Sequence, residues 1–510
     1  MSDTAPLLPP VTERPTWFES VRDRVVAHPQ LSRVMRWLAP TLVTVLAAAL
    51  RLQNLQHPHE LMFDETYYVK DSWSLWTQGY EGEWRDGADE RFADGDTSSL
   101  KTTGSYVVHP PLGKWLIALG MALFGVDSSF GWRAATAVFG TLTVLVVYFL
   151  ALELTRSRVT AMIASGLLAV DGLGIVLSRV GLLDGILAFF ITVAVLCVVY
   201  DRRDRPVHRD GAHWGAVRWN RPWLFTAGVL LGAATAVKWS GLYALAGLGI
   251  YVVVTDALAR RRAGIAYWPM DAVIRQGPIS FLLLVPIALV TYIASWTGWL
   301  LTSGGYDRDA AANPLVALWK YHESIYSFHI GLSSGHPYAS AAWQWPFLLR
   351  PTAIWVGNDQ GGCATDHCIS VISSVPNPLI WYGGMIAAIY LLSRVIRALM
   401  ARTSVSPAVS IPLVGLAVTY LPWLLYPERT VFQFYTVVMA PFVVLALAVA
   451  LRAIAGTRRD PLSRRQAGQL TVVVVLVVVA AVSAFFYPVW TGMSVPYEFW
   501  LVHNWLPGWI

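Results

Sequence analysis

The run from Gln469 to Val489, QLTVVVVLVVVAAVSAFFYPV, contains no charged side chain. A stretch of about 20 apolar residues is long enough to cross the hydrocarbon core of a bilayer as an α-helix. Such runs recur along the 510-residue chain, which is 55% hydrophobic and only 14% charged, whereas soluble globular chains carry about 25% charged residues. The composition therefore predicts an all-α polytopic membrane protein. It excludes a disordered chain, a collagen-like repeat and a disulfide-rich scaffold.

The sequence predicts about eleven transmembrane helices and one shorter apolar helix. The eleven predicted spans are 37–56, 133–154, 159–177, 184–200, 223–238, 241–257, 277–300, 377–393, 409–426, 430–451 and 469–489. The shorter segment, 111–126, stands beside a His-Pro-Pro turn, and we interpret it as a juxtamembrane helix at the membrane surface. Treating it as a full crossing would move most of the basic loops to the outside.

Basic residues set the orientation of these spans. If residues 1–36 are cytoplasmic, most of the 38 Lys and Arg residues fall in cytoplasmic segments, and eleven crossings leave the C-terminus outside. The net charge of +6 is then explained by topology, and nucleic-acid binding needs no separate explanation. Residues 1–36 also lack the apolar run and small-residue cleavage site of a removable signal peptide. We therefore predict a multi-pass protein of the plasma membrane.

Two long loops are predicted to face the exterior, at 57–132 and 301–376. Both are rich in Trp, Tyr, His and Gly, and functional residues are often carried on loops held by a rigid scaffold. The second loop contains Cys363 and Cys368. If this loop faces the oxidising exterior, a disulfide between the two cysteines is favoured. Free thiols and a metal site are the alternatives. Cys197 lies in a span and is interpreted as a packing residue.

Two adjacent carboxylates, Asp64 and Glu65, follow the first span in the motif Phe-Asp-Glu-Thr-Tyr-Tyr. One interpretation is a solvated acidic turn or a helix N-terminus with Asp64 as its cap. The other is a catalytic site, because Phe63, Tyr67 and Tyr68 would exclude water and tune one carboxylate as a general base. The residues alone leave both interpretations open.

Several cations lie at the outer ends of spans, where the positive-inside rule does not require them. Lys114, which ends the motif His-Pro-Pro-Leu-Gly-Lys, is either a point charge for a lipid-linked phosphate or a lysine that reaches to the head-group region. The others are Arg51, Arg133, Arg179, Lys238, Arg350 and Arg429. Lipid anchoring is the alternative for each, and pairing with Asp184 or Glu428 is a further alternative for Arg179 or Arg429.

The second outer loop carries His336 and Tyr338 in Gly-His-Pro-Tyr-Ala-Ser and Trp345 in Trp-Gln-Trp-Pro. His and Tyr can order a substrate and Trp faces stack on sugars, although an interfacial aromatic belt is the alternative. The sequence has no Gly-x-x-x-x-Gly-Lys-Ser/Thr phosphate loop and no nucleotide-binding domain with a DxD motif. A glycosyl donor would therefore be lipid-linked.

Taken together, these motifs resemble the protein O-mannosyltransferases, in a bacterial form, within the GT-C fold of multispanning glycosyltransferases. The resemblance covers most of the chain and lies in Phe63–Glu65, His109–Lys114, Arg133–Gly140, Ser178–Gly185, Lys238–Gly241 and His336–Pro346. It implies transfer of mannose from polyprenyl-phosphate-mannose to Ser or Thr hydroxyls of secreted proteins, with inversion, by a catalytic domain over 37–510. Eukaryotic members insert a large domain in the second outer loop, for which this loop is too short.

The resemblance makes Asp64 the expected base on the acceptor hydroxyl, with Glu65 supporting it or holding the peptide, and it marks Arg133 and Arg179 as family arginines. We predict a donor-phosphate site from Lys114, Arg133, Arg179, Lys238, Arg350 and Arg429. We predict acceptor or sugar contacts from Tyr67, Tyr68, His109, His336, Tyr338 and Trp345.

No cofactor is expected and no metal ligand is assigned, because basic residues can stabilise a leaving phosphate; metal dependence is left open. The expected partners are the lipid-linked donor, a Ser/Thr-containing secreted polypeptide and membrane lipid, and a translocon that delivers the acceptor fits a site outside the membrane. A GT-C glycosyltransferase acting on lipid A or a cell-wall glycan would share the acid pair and the cations. A lipid flippase or transporter would show inverted repeats, and none is evident.

Overall fold

The chain threads back and forth through a helical bundle. A computed structural model describes residues 14–203, 207–211, 213–358, 362, 363, 365 and 367–510. Eight helices in this part of the chain are long and apolar enough to cross a membrane. The predicted multi-pass helical architecture is therefore confirmed.

The first two helices begin at clear sequence signals. Helix α1 (Trp17–Ala27) starts with a capping box, in which Thr16 and Glu19 each bond the other's backbone N–H. Helix α2 (Pro29–Leu52) starts with a proline, whose fixed φ suits the first helical position. Because α2 begins at Pro29, the first long helix extends into the segment predicted as the polar N-terminal region.

The first outer loop is itself folded. Its elements are α3 (Glu65–Gln78), β1 (Gly82–Trp84), α4 (Ala88–Ala93), β2 (Leu100–Gly104) and α5 (Leu112–Phe124). The two strands pair antiparallel. Helix α3 ends at Gly79, whose φ of 84° lies in the left-handed region that glycine adopts without strain. Helix α5 is the predicted juxtamembrane helix, and it packs against α3.

The centre of the bundle is built from consecutive helices, most of them joined by short segments, with residues 202–221 forming a longer connection. They are α6 (Ser129–Thr155), α7 (Arg158–Ala169), α8 (Gly172–Val176), α9 (Asp184–Asp201), α10 (Pro222–Val237), α11 (Gly241–Arg262), α12 (Trp268–Met270) and α13 (Gly277–Ser295). Helix α9 is the most enclosed of the eight long helices, with 78% of its apolar window buried. It is apolar on all sides, as expected for a helix surrounded by other helices, and it packs between α6 and α10.

The remaining elements form the second outer loop and the C-terminal helices. They are α14 (Thr297–Leu301), α15 (Pro314–Gly331), β5 (Ala353–Asn358), β6 (Cys368–Ser373), α16 (Pro378–Met400), α17 (Pro407–Tyr420), α18 (Ala440–Ala455), α19 (Leu462–Thr491), β7 (Ser494–Pro496) and α20 (Tyr497–Leu501). Strands β5, β6 and β7 form an antiparallel sheet, and β3 (Arg209–Asp210) pairs with β4 (Trp214–Gly215). These short strands are an addition to the all-α prediction, because they lie in loops where apolar spans give no signal.

Each of the eleven predicted spans coincides with a helix. Eight coincide with the long apolar helices, and three coincide with the shorter α7, α10 and α18. Length and composition alone do not decide whether these shorter helices cross the membrane. The total of eleven crossings therefore stays a prediction.

Candidate active site

The acid pair lies where the first outer loop turns into α3. Phe63 has a φ of 50°, which is uncommon outside glycine, and its ring contacts Phe432 and Phe434. Asp64 is the N-terminal cap residue of α3, but its side chain makes no capping hydrogen bond. Within the described residues its carboxylate has no hydrogen-bond or ion-pair partner. The turn therefore presents a carboxylate that the fold does not use.

The neighbouring Glu65 carboxylate is fully buried and fully bonded. Arg133 donates from Nε to Oε1 at 2.8 Å and from Nη2 to Oε2 at 2.9 Å. The backbone N–H groups of Met62 and Gly181 donate at 3.0 and 2.6 Å. Glu65 thus joins α3 to α6 and to the turn before α9, and no lone pair is left for a substrate proton.

Arg133 uses all five of its N–H groups within the protein. Besides the two bonds to Glu65, it donates to the carbonyl oxygens of Leu55, Pro58 and Glu60 at 3.2, 2.8 and 2.9 Å. Its side chain is 0% exposed. No N–H group of Arg133 is therefore left over in this structure, and its predicted contact with the donor phosphate stays a prediction. Arg133 holds the loop that carries both acids.

The pKa of Asp64 is raised from 3.8 to about 6. Burial is the main cause, because it disfavours the charged carboxylate. Lys238 opposes the rise and Asp184 adds to it. A carboxylate with a pKa near 6 is ionised at neutral pH and is still basic enough to accept a proton in a reaction.

A cavity of about 560 Å³ opens between the outer loops and the helices α10, α11 and α13. Its wall has an apolar part and a polar part. One part is apolar and comes from α11 and α13, with Leu242, Leu245, Val285, Ala288 and Leu289. The other part is polar, with His109, Lys238, His329, Arg429 and Tyr435. A molecule with an anionic head and an apolar tail matches this division.

Lys238 lies at the polar end of the cavity and is paired with Asp184. Its Nζ lies 3.0 and 2.9 Å from the two carboxylate oxygens, and 4.4 Å from the centre of the Tyr435 ring. Pairing with Arg179 was the alternative considered for Asp184, and in the structure its partner is Lys238. The third ammonium N–H has no protein acceptor among the described residues.

Arg429 also faces the cavity, and no carboxylate neutralises it in the described structure. Its Nη2 donates to His329 Nδ1 at 3.0 Å, and its guanidinium lies 5.5 Å from the centre of the Trp423 ring. Its Nε is buried without a hydrogen-bond partner among the described residues. The alternative pairing with Glu428 is not present there, since neither residue forms a salt bridge.

His109 lies on the cavity wall next to Tyr68, which stands four residues after Asp64. Its ring lies 6.0 Å from that of Tyr68 and stacks on that of His329 at 5.5 Å. Its Nδ1 is buried without a partner in the described chain. Burial, followed by the nearby charge of Lys238, holds the pKa of His109 well below its usual range. His109 is therefore a neutral side chain with one ring nitrogen available to a ligand.

Comparisons with known proteins agree on one family. Residues 127–302 match the family described as dolichyl-phosphate-mannose-protein mannosyltransferase, and residues 314–509 match the C-terminal four TMM region of protein-O-mannosyltransferase. A polyprenol-phosphate-mannose–protein mannosyltransferase of Mycolicibacterium smegmatis is 34% identical, with 94% of each chain covered. The chain belongs to the protein mannosyltransferase family. The family predicted from the sequence is thereby confirmed.

Further relatives and a solved structure extend this similarity. The protein mannosyltransferase of the same name from Mycobacterium tuberculosis is 32% identical over 94% of this chain and 93% of its own. The Saccharomyces cerevisiae Pmt1-Pmt2 complex, bound to its sugar donor, has a TM-score of 0.71 at 16% identity, covering 93% of this chain and 92% of that chain. The fold is therefore that of the GT-C glycosyltransferases, as predicted.

Within this mannosyltransferase fold, Lys114 does not face the cavity. Its side chain is 1% exposed and pairs with Glu81, and its Nζ lies 3.7 Å from a carboxylate oxygen of Asp71. Two buried carboxylates already surround the charge of Lys114, and its predicted contact with the donor phosphate stays a prediction. The cluster ties α3 to α5 and to the residue before β1.

Two more predicted phosphate ligands hold backbone carbonyl oxygens. Arg179 is 2% exposed and donates to the carbonyl oxygens of Arg51, Gln53 and Asn54 at 2.6 to 3.1 Å. Arg350 donates to carbonyl oxygens near the C-terminus at 3.0 and 2.7 Å and to one in its own loop at 3.1 Å. Neither lines the cavity, and both predicted phosphate contacts stay predictions.

The second outer loop reaches the acid pair through His336. Its ring makes an edge contact with Phe63 at 6.0 Å, and its Nδ1 accepts the Tyr338 N–H at 3.1 Å. Trp345 is 0% exposed and donates to the backbone, and its predicted contact with a sugar stays a prediction. Tyr67 is 65% exposed, and its predicted contact with the acceptor stays a prediction, as do those of His336 and Tyr338.

Sequence reasoning missed two histidines of the cavity wall, His322 and His329. His329 lies on α15 seven residues after His322, and both line the cavity. A spacing of seven residues puts two side chains on the same face of a helix. That spacing was the available signal, although α15 was not predicted as a helix in the second outer loop.

The structure also bears on the predictions made for the cysteines and for a metal site. Cys363 and Cys368 form a disulfide, and Cys197 is buried, as expected of a packing residue. In the described ranges, no group of three or more His, Cys, Asp or Glu side chains is arranged to hold a metal ion.

Proposed function

We propose that this protein transfers mannose from polyprenyl-phosphate-mannose to Ser and Thr hydroxyls of secreted polypeptides, with inversion at the anomeric carbon. The observation that carries the proposal is the combination of an unpartnered Asp64 carboxylate with a cavity that is cationic at one end and apolar at the other. The names of the relatives, which are protein mannosyltransferases that use polyprenol-phosphate-mannose, support the same activity.

In the proposed reaction, the acceptor oxygen attacks the anomeric carbon of mannose. The bond between that carbon and the phosphate oxygen breaks, its electron pair leaves with the polyprenyl phosphate, and the hydroxyl proton moves to Asp64. Ser and Thr hydroxyls are weak nucleophiles, and a positioned base typically accelerates such a step by about 10²–10⁴-fold. A single displacement accounts for inversion without a covalent sugar–enzyme intermediate.

The departing phosphate would be stabilised by Lys238 and Arg429. Both line the polar end of the cavity, and both retain N–H groups without a protein acceptor in the described structure. Fixed cations that meet developing negative charge lower the barrier without reorganisation during the reaction. The apolar wall from α11 and α13 suits the isoprenoid chain, and the unpartnered Nδ1 of His109 suits a sugar hydroxyl.

The proposed orientation places the active site outside the plasma membrane. The basic residues of the predicted cytoplasmic loops support this orientation, with residues 1–36 cytoplasmic and the C-terminus outside. Secreted polypeptides then meet the site as extended chains, and a translocon is a natural source of such an acceptor.

A reconstitution experiment tests this function. The purified protein is incubated with polyprenyl-phosphate-mannose labelled in the sugar and a peptide rich in Ser and Thr. We expect label on a peptide hydroxyl with the anomeric configuration inverted, and about 10²–10⁴-fold less with Asp64→Asn. Label in lipid or glycan rather than peptide would contradict the acceptor class, and full activity of Asp64→Asn would remove Asp64 from the reaction.

A further inference from the structure

His329 links a cavity cation to the first outer loop through two hydrogen bonds. Its Nδ1 lies 3.0 Å from Arg429 Nη2, and its Nε2 lies 3.0 Å from the carbonyl oxygen of Val108. His329 lies on α15 of the second outer loop, whereas Arg429 lies between α17 and α18. Three separate parts of the outer surface therefore meet at one imidazole ring.

The chemistry of the two partners fixes the protonation of this ring. A guanidinium group can only donate, so Nδ1 must carry a lone pair, and a carbonyl oxygen can only accept, so Nε2 must carry the hydrogen. Only the neutral Nε2–H tautomer satisfies both bonds. Burial, together with the charge of Arg429, lowers the pKa of His329 to about 4, which agrees with a neutral ring at the pH of the cell surface.

Arg429 needs such an anchor. Its guanidinium has no carboxylate partner among the described residues, and its other close contact is the face of Trp423. An arginine recognises phosphate through parallel N–H groups whose direction matters. A guanidinium held only by an aromatic face could rotate, whereas a hydrogen bond to His329 fixes one nitrogen and leaves the others directed elsewhere.

We propose that His329 is a positioning residue, which acts as a neutral hydrogen-bond acceptor to orient the Arg429 guanidinium toward the donor phosphate. This inference rests on the proposed function, because it assigns the phosphate of the lipid-linked donor to Arg429. It also gives α15 a role in donor binding, since the helix brings the acceptor nitrogen to the cavity.

Simple packing is the competing explanation. The His329 ring stacks on His109 at 5.5 Å and lies 5.7 Å from the Trp239 ring, so any truncation also removes contacts. Two substitutions separate the explanations. His329→Asn supplies an acceptor oxygen near the position of Nδ1 and loses most of the ring, whereas His329→Leu keeps apolar bulk and loses the acceptor.

The test is a double-mutant cycle with Arg429→Met. The donor KM and kcat are measured with polyprenyl-phosphate-mannose at saturating peptide, and affinity for polyprenyl phosphate alone is measured by the shift in melting temperature. We expect His329→Leu to raise the donor KM about tenfold with little change in kcat, and His329→Asn to restore most of that loss. In the Arg429→Met background, His329→Leu should have no further effect.

Controls keep the outcomes distinct. Lys320→Met, an exposed change on the same helix, should leave the donor KM unchanged, and each variant must elute as a single species. Additive effects of His329→Leu and Arg429→Met, or equal losses for His329→Asn and His329→Leu, would overturn the inference. Absence of mannosyl transfer by the wild-type protein would instead contradict the proposed function, and the polyprenyl phosphate titrations would still decide the role of His329.

Discussion

Two groups of charged residues lie near each other on the side of the bundle that carries the two long loops, and they differ in how fully their polar atoms are hydrogen-bonded. In the anchor group, Glu65 and Arg133 are fully buried, and every carboxylate lone pair and every guanidinium N–H of this pair has a partner. The cavity group comprises Arg429 on the cavity wall and Asp64, which lies within electrostatic reach of Lys238 on that wall. In this group Asp64 has no bonded partner and Arg429 keeps a buried Nε unpaired in the described structure. Sequence neighbours such as Asp64 and Glu65 therefore belong to different groups.

This difference shows how a charged residue with a structural role can be distinguished from one that is available to bind a ligand. A buried ion that is completely hydrogen-bonded stabilises a particular backbone arrangement and has nothing left to offer a ligand. A buried polar group that the fold leaves unpaired carries a desolvation penalty, and a ligand that pairs with it recovers that penalty. The anchor group thus fixes the loop at 55–65, and the cavity group is left for the substrates.

The largest effect is expected when the buried ion pair between Arg133 and Glu65 is broken. Arg133→Met removes five hydrogen bonds and leaves the Glu65 carboxylate buried without its cation. Breaking a buried pair from one side typically costs about 3–5 kcal/mol. We expect a large fall in melting temperature together with loss of transfer.

Arg429→Met is the matched control for the anchor variant, because it removes an arginine that faces the cavity. It should keep the wild-type melting temperature and raise the donor KM. If Arg133→Met melts like the wild type and loses only donor affinity, the division into anchor and cavity groups is wrong.

The next effect concerns the stability of Asp64→Asn. The pKa of Asp64 in the folded protein, about 6, lies above its usual 3.8, so the folded state binds this proton more tightly than the unfolded state. The stability that this tighter proton binding contributes is present below about pH 4 and is lost as the pH rises through 6. At pH 7.5 the ionised group therefore destabilises the fold by up to roughly 3 kcal/mol.

Asp64→Asn should accordingly melt at a higher temperature than the wild type at pH 7.5, and the gap should shrink as the pH falls toward 4. Glu65→Gln provides the comparison in the same turn, and it should melt lower because it disturbs the pair with Arg133. Equal shifts of the two variants in the same direction would contradict the contrast between the two acids.

The pH dependence of transfer gives a smaller effect. A base with a pKa near 6 is protonated below that value, so kcat/KM should fall about tenfold per pH unit in the acid limb. The change of slope in the plot of kcat/KM against pH should lie near pH 6 rather than near pH 4. We expect Asp64→Asn to lose this limb in its residual activity, and an unchanged limb in that variant would assign the titration to another group.

The sequence was sufficient for the large-scale features. Apolar runs predicted the long helices, because a bilayer crossing needs about 20 such residues, and the acid pair and the Lys238 motif lie close together in the structure. The hydrogen-bond partners of each charged side chain were not predictable. Arg133 and Arg429 look alike in the sequence, and only the folded loop supplies the three carbonyl oxygens that occupy Arg133.

The smallest effect is expected at Arg350, a cation of the second outer loop that was predicted to bind the donor. Its guanidinium holds carbonyl oxygens of Pro337, Gly508 and Ile510 and lies 5.2 Å from the Tyr338 ring centre. Arg350→Ala should loosen the C-terminus, with a change in stability of about 1 kcal/mol or less because the contacts are partly exposed. The donor KM should stay within twofold of the wild type when measured beside Arg429→Met. A rise comparable to that of Arg429→Met would show that outer-face charge in general, rather than an unpaired cation in the cavity, attracts the lipid phosphate.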